Sequence, residues 1–160
     1  MSDNSKTYIG MLADILDRKQ KVLENILSVT VKQMNIISAG ESAEAFDDTL
    51  TEKDSLIEEL NRLDNGFSDA YAKVSAELAV NKNNYKNEIL GLQKKITSIT
   101  DIGVKIQALE EQNRIAFEQY LSGQRRKIKD FKLSSKTVSN YYKNMTGKPQ
   151  GESYFMDKKK

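Results

Sequence analysis

Stepping from Phe46 by alternating fours and threes meets Phe46, Leu50, Lys53, Ile57, Leu60, Asp64, Phe67, Tyr71, Val74 and Leu78. Eight of these ten are apolar or aromatic, while most residues between them are charged, Ser, Asn or Ala. Leu56 and Leu63 widen the stripe on one side. This is the repeat of one long helix with one buried face, and no proline interrupts it. Such a helix cannot cover its own apolar stripe. It requires neighbours of matching length, and the rest of the chain must supply them.

The flanking segments have that character. Before it, Tyr8, Met11, Leu12, Ile15, Leu16, Val22, Leu23, Ile26, Leu27, Val29, Met34, Ile36 and Ile37 read as a first helix over about residues 4–38. Gly40 is its expected left-handed terminator. The connection Gly40-Glu41-Ser42 is short, which makes the flanking helices antiparallel neighbours. Ser42 is placed to cap a second helix over about 43–81, with some irregularity expected near Asp48; Thr49 or Thr51 is the alternative start. Gly66 inside that helix costs about 1 kcal/mol against Ala, and close approach of another helix is the simplest reason for it. Asn81-Lys82-Asn83-Asn84 is the weakest helical stretch and marks the second turn. A third helix follows over about 85–123, with a stripe of Tyr85, Ile89, Leu92, Ile96, Ile99, Ile102, Ile106, Leu109, Asn113, Ala116 or Phe117, and Tyr120. Asn113 is a polar break of the kind that sets register. The expected fold is all-α: an antiparallel, coiled-coil-like bundle of three long helices over 1–123.

Absences narrow the chemistry. The chain has no His and no Cys, which removes the commonest general base, the commonest metal ligands and any disulfide framework. Acidic pairs such as Asp47-Asp48, Glu58-Glu59 and Glu110-Glu111 are adjacent, so on a helix they diverge by about 100° rather than converge on a substrate. No cofactor, metal, small-molecule substrate or enzymatic activity is expected. No run approaches the ~20 apolar residues of a membrane span, and the charged N-terminus has no signal-peptide core; a cytoplasmic location is the expectation.

The apolar pattern of helix three outlasts its partners. Paired against helix two, it runs out of neighbours near residue 123, yet the stripe continues through Ile128, Phe131, Val138, Tyr142 and Met145, with Tyr141 beside it. Thr146-Gly147-Lys148-Pro149 ends it, and a polar tail carries Tyr154-Phe155-Met156. Residues 124–160 hold eleven basic against three acidic residues, a charge of +8 that leaves −6 for the remainder of a chain of net +2. Burying each such apolar side chain stabilises by about 1.5–3 kcal/mol, so an overhang of this size is expected to find a partner. From the residues alone its occupant stays open: another protein, the bundle itself through a fold-back, a second copy in a homodimer or self-associating scaffold, or a nucleic acid or anionic membrane drawn to Arg125-Arg126-Lys127-Ile128-Lys129.

Three stretches carry a resemblance. One is Phe46 followed by Lys53-x-x-Leu56-Ile57-x-x-Leu60-x-x-Leu63-Asp64-x-x-Phe67. The next is Leu92-Gln93-x-x-Ile96-x-x-Ile99 leading to Ile106-x-x-Leu109-Glu110-x-x-Asn113. The last is Tyr141-Tyr142-x-Asn144-Met145 with Ser153-x-Phe155-Met156-Asp157-Lys158-Lys159. In this order they resemble the FlgN type of flagellar export chaperone. The resemblance implies a cytoplasmic chaperone without cofactor or enzymatic activity. It would bind the C-terminal helical segments of hook–filament junction proteins, prevent their premature assembly and deliver them to the export gate. The family binds substrate through its C-terminal part, so the resemblance implies a binding role for Tyr141, Tyr142, Met145, Tyr154 and Phe155; Ile128, Phe131 and Val138, where no distinctive family motif stands, join the expected partner-binding residues from the unpartnered stripe.

Overall fold

The computed structural model describes residues 2–123, and they form an all-α helical bundle. The elements are α1 (Ser2–Ala39), α2 (Ala43–Val80), a 3-10 turn (Lys82–Tyr85) and α3 (Lys86–Gly123). The α2 ladder is confirmed rung by rung: the apolar rungs are buried, apart from half-buried Tyr71. The turns follow from local chemistry. Gly40 takes φ +64°, its N–H donates to Ile37 O at 3.1 Å, and Glu41 N–H donates to Ile36 O at 3.0 Å. That pair of bonds is the Schellman ending, and it needs the left-handed residue that glycine tolerates best. Ser42 Oγ then accepts from Ala45 N–H at 3.2 Å, capping α2. The second turn closes through Glu77, whose side chain accepts from Asn81 Nδ2 at 2.7 Å and from Tyr85 Oη at 3.4 Å.

Three expectations are corrected. α2 starts at Ala43 as expected, capped by Ser42, but the irregularity expected near Asp48 is absent: the helix is continuous from Ala43 to Val80. Met11 is 44% exposed; Ile9 and Leu12 take the core-facing positions around it. A Cβ at Gly66 would meet only Ile15 Cδ1, at an ordinary 3.6 Å, so no tight helix approach demands glycine there.

The described residues fall into two compact units. The first combines residues 2–22 with Glu59–Asp101. Its core is Leu12, Leu16, Leu60, Leu63, Phe67, Val74, Leu78, Leu92, Ile96 and neighbours. Antiparallel pairing of α1 and α2 within it is fixed by Lys73 over the Tyr8 ring, 5.4 Å from the centroid, and by Lys19 Nζ 2.8 Å from Asp64 Oδ1. That oxygen is shut off from water and receives the charge attraction without an aligned hydrogen bond. Lys95 on α3 reaches Asp17 on α1 at 2.5 Å on the exposed face.

The second unit combines Leu23–Glu58 with residues 102–123. Leu23, Ile26, Val29, Ile36, Leu50, Ile57 and Ile106 fill it, and Phe46, Phe117 and Tyr120 close its turn end. The Phe46 and Phe117 rings stack at 4.8 Å. Tyr120 Oη donates to the Glu41 carbonyl beside the α1–α2 turn. Aromatic contacts of this kind contribute about 0.5–1.5 kcal/mol beyond burial.

Candidate partner-binding site

Ile128, Phe131, Val138, Tyr141, Tyr142, Met145, Tyr154 and Phe155 all lie outside the described residues. The structure describes the unit from which that segment departs, and its interior differs from a plain apolar seam. Lys53, one of the two polar breaks in the α2 ladder, is 1% exposed. Its ammonium donates to Glu110 Oε1 on α3 and to Gln33 Oε1 on α1 at 2.8 Å. Gln33 Nε2 donates in turn to Thr49 Oγ1 at 3.0 Å, and Thr49 donates to the Phe46 carbonyl. One chain of polar groups therefore links all three helices. A second link is Asn113 Nδ2, which donates to the Thr30 carbonyl on α1 at 3.1 Å.

Burial pushes the Lys53 ammonium below the usual lysine value, while the charge and hydrogen bond of Glu110 pull it back up. Water is excluded, so each group depends on the others; an unpaired member would bear its full desolvation cost. Nearer the turn, burial raises the Tyr120 phenol, with Asp47 and Glu41 adding to the effect. Burial also raises Asp54, helped by Glu58. On the exposed side of α3, Arg114 bonds Glu111 at 2.7 Å and Glu118 at 3.1 Å, and the hydrogen bond and charge of Arg114 hold the Glu111 carboxyl below its ordinary value.

Sequence reasoning found Lys53 and Asn113 as breaks in their stripes, but it did not find their partners. Glu110 was grouped with Glu111 as an adjacent pair of acids; the structure buries Glu110 to 2% exposure and leaves Glu111 in solvent. The available signal was the position of Glu110 four residues beyond buried Ile106 and three before Asn113, on the stripe rather than off it. Among the described residues no group of three or more His, Cys, Asp or Glu is placed to hold a metal ion. None of the described helices is long and apolar enough to cross a membrane.

These features define a helical bundle whose interior is organised by packing and buried polar links. Residues 8–149 match the family model described as FlgN protein. The chain belongs to that family, whose role is flagellar export as chaperones. The match begins in α1 and takes in Ile128 to Met145, but it stops before Tyr154 and Phe155. No curated protein and no solved structure matches the chain.

Proposed function

We propose that this chain is a cytoplasmic export chaperone for hook–filament junction proteins. It holds their C-terminal helical segments, prevents premature assembly and passes them to the export gate. The observation that carries this is membership of the FlgN family over residues 8–149. The amphipathic stripe beyond Gly123 supports residues 124–160 as the binding segment, with Ile128, Phe131, Val138, Tyr141, Tyr142 and Met145 as its apolar anchors and Tyr154 and Phe155 as further contacts in the tail. A substrate helix laid along such a stripe binds in the helix-in-groove mode, and Tyr, Phe and Met are suited to it because aromatic rings anchor and Met repacks. The basic side chains from Arg125 to Lys136 steer acidic substrate segments during encounter. Binding and release require neither cofactor nor enzymatic step.

The test is co-purification of a junction protein with the full chain, alongside a chain ending at Gly123. The full chain should retain the substrate and the shortened one should lose it. Retention by the shortened chain would move the site into the bundle. Failure of the full chain to retain any junction protein would remove the substrate assignment.

A further inference from the structure

α3 is held differently along its length. In the first unit its buried side chains are Leu92, Gln93, Ile96 and Ile99; in the second they are Ile106, Glu110, Asn113, Phe117 and Tyr120. Between Ile106 and Phe117, about 16 Å of helix, no apolar side chain of α3 is fully buried. Leu109 and Ala116 are half-buried there, and Val104 and Ile115 are 59% and 52% exposed. What holds this stretch is polar: Lys53 donates to Glu110, and Asn113 donates to the Thr30 carbonyl. Gly103, a weak helix former, stands where the stretch begins.

In this unit α1 and α2 also pair directly with each other. Gly40 and Ser42 close their turn, and Gln33 Nε2 on α1 donates to Thr49 Oγ1 on α2 at 3.0 Å. Besides Glu110, the Lys53 ammonium has the Gln33 acceptor on α1 at 2.8 Å. Lifting α3 here returns Lys53 and Glu110 to water, and their rehydration offsets the lost attraction between them. Lifting an aliphatic rung such as Ile96 has no such offset, because exposing apolar surface is unfavourable throughout. The links that fix the register of the closed helix therefore make this half of it the easier to open.

We infer that α3 from Gly103 to Tyr120 opens from α1 and α2 as one cooperative segment of the native protein, with the Lys53–Glu110 pair as its latch, while Leu92 to Ile99 stay closed. Phe117 and Tyr120 leave with it, which uncovers the cluster of Ile36, Ala43, Phe46 and Leu50 that they pack against. The closed bundle thus hides an apolar cluster that the open one presents. A helical segment this short is marginal in water once its neighbours are gone, so opening exposes its amides to exchange.

Native-state amide hydrogen exchange on the full chain, followed by NMR where exchange reports the opening equilibrium, tests this. The amides from Ile106 to Phe117 should share one protection factor, at least about tenfold lower than that of Leu92 to Ile99. Lys53→Met/Glu110→Leu should raise protection from Ile106 to Phe117 by about tenfold or more and narrow the gap. Glu110→Gln, which leaves the Lys53 ammonium a neutral acceptor in place of its counter-ion, should widen it. Equal protection along α3 in the parent chain overturns the proposal. So does protection that falls smoothly from Ile106 toward Gly123, which is the fraying of a helix end. A gap that Glu110→Gln leaves unchanged overturns the role of Lys53 and Glu110 as the latch, whether or not the double variant folds.

Discussion

The two units use similar apolar residues but treat polar ones differently. The first buries Ser5, Lys19 and Gln93 around an apolar core; the second buries Thr30, Gln33, Thr49, Lys53, Glu110 and Asn113. In the first, the charged rung Asp64 keeps a quarter of its side chain exposed and Lys19 reaches it from the adjacent helix. In the second, Lys53 and Glu110 are both sealed to 2% side-chain exposure and are joined to α1 through Gln33. Apolar burial stabilises both units but is non-directional. A sealed charge pair is satisfied in only one alignment of the helices, and sliding α3 by a turn would set Lys53 against Ile106 or Asn113. The second unit thus trades some stability for a defined register. It is also the unit from which the proposed binding segment departs.

The sharpest way to break this comparison is to remove one charge. Glu110→Ala leaves the Lys53 ammonium buried without its counter-ion and should destabilise the chain by about 3–5 kcal/mol in urea unfolding. The double variant Lys53→Met/Glu110→Leu should recover nearly all of that loss or exceed the parent. A double variant as unstable as the single one would mean that the network is essential to stability rather than to alignment. In the first unit, Lys19→Ala should cost only about 1–2 kcal/mol, because water still reaches part of Asp64. Equal losses at Lys19 and Glu110 would erase the distinction between the units.

Two smaller effects sharpen it. Tyr120→Phe removes the bond to the Glu41 carbonyl and should cost about 1 kcal/mol. The phenol is raised in the folded chain, so the folded state holds its proton longer than the unfolded state. Its contribution is complete below the ordinary tyrosine pKa of about 10 and is lost as pH rises through the higher folded value. Unfolding followed from pH 9 upward should show this decline in the parent and a shallower one in Tyr120→Phe. In the first unit, Gly66→Ala places a methyl in ordinary contact with Ile15 and should stabilise by about 0.5–1 kcal/mol through helix propensity alone. A loss there would show that the helices approach more closely than a 3.6 Å contact implies.

Much of this molecule was legible in its residues because helical period and turn chemistry are local. The α2 ladder, the Gly40 ending, the Ser42 cap and the weak stretch at Asn81 each depend on neighbours within about one helical turn. The α3 stripe was legible too, down to the polar position at Asn113, although Ile89, Ile102 and Leu109 on it are only half-buried. The family resemblance was legible too, although its tail stretch from Ser153 to Lys159 lies beyond the matched range. The eight expected partner-binding residues lie outside the described residues, and their assignment remains with the proposed function.

The sequence by itself determined that three helices form, where they turn and which face of each is apolar. It also showed that Lys53 and Asp64 interrupt the α2 stripe. Only the tertiary structure decided what those interruptions meet: Lys19 for Asp64, and Glu110 with Gln33 for Lys53. The reason is physical. A period of 3.6 residues tells which way a side chain points from its own helix axis. The residue facing it depends on the axial offset between helices, which the packing of apolar and polar side chains from separate parts of the chain must settle together.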